Sequence, residues 1–467
     1  MATMKKLVQL YFRTSLVVRI LIGFAVGSLV GIVFWYLSRP TGAAEPAGAT
    51  VAEVVIPLVL PFGQVFVHML KMIVVPIIFF SLVVGASNLP IRKFGHIGAK
   101  TILWYLVTSL LAAVLGTCLA LAINPGSGAD LGAWQKLAEL KMTEAGEVAR
   151  GVPTEGTLSQ ILLNLFRNPF EALAAGNFLP IIVFSIMFGL AIRALMESGD
   201  DRQVSRLKML GELLEAARDA MFKLVDWILE YSPIGVFALT VVNFGLYGPS
   251  IVGPYVSVTL GVVLGILAMI FFVYSSLLWI VTRQNPIAVL KRIREPMIMA
   301  FITRSSAATL PVSIKTGEED LRIHDELVSF SLPLGATINM DGVCVHLPMF
   351  AILAANMFGI HLTLGSLIVL VLTTVLSSIG AGGVPGGSLM LLFIILEGMG
   401  LTADQVAVIV ALALGINPIL DMFETMNNVT GDLVCSYAVA TNEGLIDTEA
   451  GAAPAPVVSR SARSDAL

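Results

Sequence analysis

The sequence predicts an all-α polytopic membrane protein, and two observations carry that assignment. Hydrophobic residues make up 57% of the chain and charged residues only 13%, where a soluble domain carries about a quarter charged; mean hydropathy is +0.89. Apolar runs of about twenty residues, long enough to cross a hydrocarbon core, recur along the chain, as at 16–37, 97–123 and 252–280. The chain lacks the period-two alternation with short turns of a β-barrel. A net charge of −4 with no basic run argues against nucleic acid as a partner. Cys118, Cys344 and Cys435 stand in apolar segments without metal-ligand spacing and read as core residues.

Six spans are expected first, at about 14–37, 53–85, 96–123, 177–196, 206–244 and 249–282. The basic N-terminus (Lys5, Lys6, Arg13, Arg19) before an apolar run has the look of a signal peptide. The run is too long and lacks a clean cleavage site, so it reads as a retained helix. Basic residues then cluster at Arg92/Lys93/Lys100, at Arg193/Arg202/Arg206/Lys208 and at Arg283/Lys291/Arg292, on alternate loops. The positive-inside rule therefore places these loops and both termini in the cytoplasm. The 39–50 loop and the polar insertion 124–176 fall outside, and the tail 446–467 reads as disordered.

Beyond residue 285 the pattern changes. Two apolar stretches, 285–316 and 361–400, are broken mid-way, one by Thr303-Arg304-Ser305-Ser306 and the other by the Gly-rich run from Ser377 to Ser388 around Pro385. Neither half is long enough to span, and irregular backbone survives at membrane depth only inside protein or against a cavity. Two re-entrant hairpins are expected, separated by a long helix containing Asn339-Met340-Asp341-Gly342 and followed by a final helix. The total is eight transmembrane helices plus two re-entrant hairpins, and interrupted segments in matching halves point to a transport site at the midplane.

The final helix carries the chemistry. With Asp421 set to zero on a helical wheel, Asn417 falls at about −40°, Thr425 at about +40°, Asn428 at about −20°, Asp432 at about +20° and Glu424 at about −60°. Only Asn427 and Thr430 leave this stripe. Ionisable groups at bilayer depth are costly unless they face a protein interior, a cavity or an ion, so the stripe reads as a site for something charged.

Four ordered motifs make the chain up to about residue 445 resemble the dicarboxylate/amino acid:cation symporter family: Thr303-Arg-Ser-Ser, Pro333-Leu-Gly-Ala-Thr-Ile-Asn-Met-Asp-Gly, Ser378-Ile-Gly-Ala-Gly-Gly-Val-Pro-Gly and Asn428-Val-Thr-Gly-Asp. The resemblance implies a homotrimer in the plasma (inner) membrane, with an amino acid as substrate and sodium ions as coupling partners. It implies scaffold helices 1 and 2 within 1–75, and an extracellular loop with scaffold helices 4 and 5 within 131–245. Helix 3 (76–130) and residues 246–445 would form a transport domain that slides like an elevator.

Site residues follow from the same resemblance. Asp421 would hold the substrate ammonium and Asn428 its α-carboxylate, with Ser306, Val384 and Gly386 closing over that carboxylate. Arg304, Glu424 and Thr425 complete the substrate set. One sodium would use Asp432 with Gly335, Asn339 and Asn428. A second would sit on main-chain oxygens of Thr337, Ser378, Ile379 and Ala381. A third would use Asp341, Asn339, Thr108, Ser109 and Tyr105. Oxygen ligands suit a hard cation, and neither Asp341 nor Asp432 has a basic neighbour within one helical turn.

Two positions depart from the acidic-substrate pattern. Where those relatives place an arginine three residues after the ammonium-binding aspartate, this chain has Glu424, and where they supply a threonine after the Asp-Gly pair it has Val343. A carboxylate repels an anionic side chain but accepts a hydrogen bond from a hydroxyl. Together with Arg304-Ser-Ser-Ala this is similar to bacterial sodium/serine-threonine symporters, so small neutral amino acids are expected, serine and threonine first and alanine with them. Cationic or acidic substrates, and proton coupling through Glu424, are the alternatives. A channel would not need the ammonium-and-carboxylate pair Asp421 and Asn428. An intramembrane enzyme is disfavoured because Ser305 and Ser306 have no His or Lys base near them in sequence. His346 reads as a core or cavity residue.

Overall fold

A computed structural model describes residues 14–37, 47–87, 91–127, 166–175, 178–381, 383 and 386–447. Among these residues eight helices are long and apolar enough to cross a membrane, and there are no strands. The first five long helices are α1 (Leu16–Leu37), α2 (Ala47–Ser87), α3 (Ile91–Ile123), α4 (Phe178–Ser198) and α5 (Asp201–Tyr247). The N-terminal basic residues through Arg13, most of the 124–176 insertion, Val384 and the tail beyond 447 lie outside the described residues.

Helices α1, α2, α4 and α5 pack on one another, and small residues set how closely. Gly23, Gly27 and Gly31 repeat every fourth residue on α1. A Cβ on them would come within 2.6 Å of Pro233 O, 2.7 Å of Phe237 O and 2.7 Å of the Phe244 side chain on α5. The two backbones therefore touch along a glycine seam, as small-xxx-small sequences permit in membranes. Arg19 stays buried beside that seam because it pairs with Glu230 of α5 at 2.8 Å. Helix α2 runs unbroken through residues 75 and 76, where the expected domain boundary falls; the 88–90 connection after it is outside the described residues.

The second set of packed elements begins with α3 and α6 (Gly248–Thr282). A π-helical turn at Met269–Tyr274 widens α6, and such turns recur where a helix re-aims a functional side chain. The first expected hairpin is formed by α7 (Arg294–Thr303) and α8 (Ser306–Lys315). The second is formed by α11 (Leu364–Ser378) and α12 (Gly387–Gly398), and the last helix is α13 (Ala403–Glu443). Thr402 starts α13 with a reciprocal capping box to Gln405.

One expectation is corrected. The helix between the hairpins is not continuous: it is split into α9 (Asp325–Ile338) and α10 (Asp341–Phe358). Asn339 (φ −102°, ψ 82°) and Met340 (φ −111°, ψ 58°) leave helical geometry between them. A break here frees main-chain oxygens and starts a new helix at Asp341, whose carboxylate is favoured by the positive end of the dipole. Helix α10 is the most enclosed element, buried from Asp341 through Ala355, and packs on α3, α6 and α13.

Candidate substrate and cation site

Both hairpin tips are shaped by their sequence and meet each other. Arg304 ends α7 in the left-handed region (φ 55°), a conformation costing a non-glycine residue about 1–2 kcal/mol. Ser305 then caps α8, accepting from Ala308 N at 3.1 Å. Its hydroxyl donates to Gly383 O at 2.7 Å, and Ala307 N reaches the same oxygen at 3.2 Å. Gly386 starts α12 with φ 80°, a position suited to glycine. The helix starts at Ser306 and Gly387 therefore face one pocket, which Asp421, Glu424, Thr425 and Asn428 close from α13. Exposed N–H groups at helix starts attract anions.

Asp421 is 5% exposed and accepts from Gly386 N at 3.2 Å, while Arg304 Nη1 lies 3.6 Å from the same oxygen. The guanidinium thus stands where a substrate ammonium is expected. Thr425 lines the pocket, but its hydroxyl donates to Asp421 O at 2.8 Å on its own helix. Asn428 Oδ1 accepts from Gly342 N at 2.7 Å, and its Nδ2 meets only Met340 Sδ, a weak acceptor, at 3.2 Å. A Cβ at Gly342 would lie 2.5 Å from Glu424 O, so glycine there lets α10 and α13 close together at the pocket wall.

Below the pocket the two acids are held by hydroxyls and an amide. Asp341 is fully buried, accepting from Ser109 Oγ at 2.7 Å and from Tyr274 at 2.7 Å. Asp432 Oδ1 accepts from Asn339 Nδ2 at 2.9 Å, and Thr108 donates to Asn339 Oδ1 at 3.3 Å. A Cβ at Gly335 would stand 2.4 Å from Asp432 Oδ1, which brings that carboxylate against main chain at the end of α9. Among the described residues no lysine or arginine pairs with Asp341 or Asp432. Five residues expected together from sequence therefore meet: Ser109 with Asp341, and Thr108 with Asn339 and Asp432 through one amide.

The remaining expected cation ligands lie on α3, α9 and the end of α11. Tyr105 donates to Ser331 O at 2.8 Å rather than to Asp341. The hydroxyls of Thr337 and Ser378 bond carbonyls of their own helices. Ala381 N closes on Ser378 O at 3.1 Å, and Ile379 caps α11, so only main-chain oxygens of this group would serve a cation. A Cβ at Gly383 would come within 2.6 Å of Ala336 O, which seats the second hairpin on α9.

Three participants were not legible in the sequence. Tyr274 reaches Asp341 from α6, and Gly431 opposite leaves room for its hydroxyl, since a Cβ there would lie 2.6 Å away. Ser388 lines the pocket from α12. His346, read as a core or cavity residue, contacts Glu424 Oε1 through Nδ1. For Ser388, its place two residues after Gly386 was the available signal; for Tyr274 and His346 only the tertiary fold supplies the link.

A second cavity, of about 390 Å³, adjoins the pocket. Leu16, Ile20 and Trp227 of α1 and α5 bound one side, and Arg304, Gly386 and Asn417 bound the other. The tips of both hairpins and the start of the polar stripe thus border open space.

A helical membrane protein with paired broken hairpins, an unwound helix and a cluster of buried acids between them is a secondary carrier in architecture. The chain belongs to the sodium:dicarboxylate symporter family, which it matches over residues 16–442. It is 33% identical over 399 residues to the proton/glutamate-aspartate symporter of Escherichia coli (strain K12), covering 84% of this chain and 87% of that protein. It is 29% identical over 436 residues to the proton/sodium-glutamate symport protein of Geobacillus stearothermophilus, covering 93% and 96%. The neutral amino acid transporter B(0) of Mus musculus is 30% identical over 430 residues, covering 79% and 72%.

Proposed function

We propose that this chain is a sodium-coupled symporter that imports small neutral amino acids, serine and threonine first, by an elevator motion within a homotrimer of the plasma (inner) membrane. The observation that carries the substrate class is Glu424: the pocket wall where acidic transporters would place an arginine presents a buried carboxylate, 1% exposed. An anionic side chain would meet that acid without a guanidinium clamp. Zwitterion recognition is supported by the pairing of opposite features around one pocket. Asp421 offers a carboxylate to the ammonium, while the start of α8 at Ser306 and the Asn428 amide offer donors to the α-carboxylate.

Mechanistically, the substrate ammonium replaces Arg304 at Asp421, and the second hairpin closes with Val384 and Gly386 over the carboxylate. Sodium at Asp432 with Gly335, Asn339 and Asn428, at Asp341 with Asn339, Thr108, Ser109 and Tyr105, and under the second hairpin at Thr337, Ser378, Ile379 and Ala381 would order the same elements. Asn339 and Asn428 serve both sets, so each ligand raises the affinity of the other. Packing of α1, α2, α4 and α5 mainly on one another, with α1 and α5 bordering the adjoining cavity, supports their assignment as scaffold, with the remaining elements moving.

A second reading, proton-coupled symport, is favoured by the buried contact between His346 and Glu424. Both readings are tested in proteoliposomes by labelled serine uptake with external sodium or choline, with and without a pH gradient, against unlabelled serine, threonine, alanine, aspartate and arginine. Sodium-dependent uptake blocked by serine, threonine or alanine supports the first reading. Block by aspartate overturns the substrate class, and uptake driven by the pH gradient alone favours the second reading.

A further inference from the structure

Glu424 is held by a residue from another helix. His346 of α10 is fully buried, and its Nδ1 meets Glu424 Oε1. The imidazole stacks on Phe350, with ring centroids 4.7 Å apart and planes at 29°. Packed on that ring and enclosed on every side, the imidazole has no room to swing away, so it fixes the carboxylate it touches.

That contact uses one oxygen and leaves the other. Among the described residues, Glu424 Oε2 is buried without a hydrogen-bond partner. The same is true of Ser388 Oγ on α12, a residue only 3% exposed. Both residues line the pocket that Asp421 and Ser306 line. A buried polar atom without a partner is costly, and native proteins keep such atoms where a ligand completes them. A carboxylate oxygen accepts only, whereas a serine hydroxyl both donates and accepts. The unmet need at this end of the pocket is therefore for a donor.

We propose that His346, Glu424 and Ser388 form a side-chain subsite that selects amino acids whose side chain carries a hydrogen-bond donor, a hydroxyl or a carboxamide, with His346 as a positioning residue. The inference rests on the proposed function, in which the amino acid backbone is held at Asp421 and the start of α8. A serine or threonine hydroxyl donates to Glu424 Oε2 and accepts from Ser388 Oγ. Alanine leaves both atoms unmet, and aspartate sets a second carboxylate against the first. A site built to bond a hydroxyl discriminates strongly against the analogue lacking it.

The test uses the full chain in proteoliposomes under an inward sodium gradient, comparing half-saturation and maximal rate for serine, threonine, asparagine and alanine. Wild type is expected to prefer serine to alanine by about tenfold or more in the ratio of rate to half-saturation. His346→Leu is expected to erase that preference chiefly through serine half-saturation, leaving alanine transport in place. His346→Asn keeps a donor near the Nδ1 position and is expected to restore the preference, which a purely packing role would not do. Ser388→Gly is expected to narrow it several-fold without touching the histidine.

Preference retained in a transporting His346→Leu variant overturns the inference. Should that variant fail to fold, an unchanged preference in Ser388→Gly overturns it instead. Sodium-driven uptake by wild type without preference for serine sinks this subsite alone. Absence of any sodium-driven uptake of neutral amino acids overturns the proposed function and the subsite together.

Discussion

Asn339 joins the unwound centre of one helix to the polar face of another, its amide donating to Asp432 Oδ1 at 2.9 Å while its own oxygen accepts from Thr108 at 3.3 Å. One carboxamide thus touches both acid-bearing regions that lie beneath the pocket. Asn339→Ala leaves Asp432 without that donor and, on the proposed function, should raise the sodium concentration for half-maximal uptake by about tenfold or more. Asp432→Ala should do the same more severely. Sodium titration of serine uptake reads both, and an unchanged sodium requirement in either would remove Asp432 from the cation sites.

Tyr274 supplies a separate check. Its hydroxyl donates to Asp341 Oδ2 at 2.7 Å from the π turn of α6. Tyr274→Phe deletes one hydrogen bond to a buried acid and keeps the ring, at a cost of about 1.5–3 kcal/mol to whatever state needs that bond. The expected readout is a sodium half-saturation raised about tenfold with serine half-saturation less affected. Equal effects on both would place Tyr274 in the substrate pocket instead.

Asp421→Ala should abolish binding of the ammonium group. Wild type should show serine-dependent thermal stabilisation in detergent with sodium, and this variant should show none. Retained stabilisation would mean that Arg304–Asp421 is only a structural pair.

Glu424→Arg replaces the acceptor with a clamp for a carboxylate. Aspartate should then become an effective competitor, with serine weakened by about tenfold or more, as measured by competition against labelled substrate. An unaltered substrate ranking would break the link between this position and selectivity.

The glycine seam makes a stability prediction with no bearing on transport chemistry. A Cβ at Gly27 would stand 2.7 Å from Phe237 O, a backbone atom that side-chain motion cannot move away. Gly27→Val should push α1 off α5 and lower the melting temperature in detergent by several degrees, while Gly211→Val, at an open position on α5, should leave it unchanged.

What the sequence encodes locally and what only the tertiary fold supplies divide along physical lines. Hydropathy and punctuation at Arg304–Ser306 and around Pro385 placed the spans and both hairpins, because apolar length and turn chemistry are local properties. Asp421, Glu424, Thr425 and Asn428 of the angular stripe line one pocket, since one helix fixes their relative directions. The break at Asn339 and Met340 escapes a hydropathy reading although Asn-Met-Asp-Gly carries turn-forming residues, because the flanking apolar residues read as one continuous helix. Tyr274 and His346 lie 67 and 78 residues from their carboxylate partners Asp341 and Glu424, and no local pattern encodes such pairings. Tyr105 donates instead to Ser331 O, a main-chain acceptor 226 residues away that no local pattern reveals.

The contact between Arg304 and Asp421 has a consequence for the return half of a transport cycle. A carrier that delivers a cationic ammonium and comes back unloaded would drag a bare aspartate through hydrocarbon. Here a guanidinium tethered to the first hairpin already stands beside that aspartate at 3.6 Å. On the proposed function, the unloaded site would travel with Asp421 balanced by Arg304, and cargo would enter by displacing that built-in surrogate. Replacing Arg304 by a neutral residue is then expected to slow the homeward leg more than the outbound one, so that exchange of one serine for another outlives net uptake.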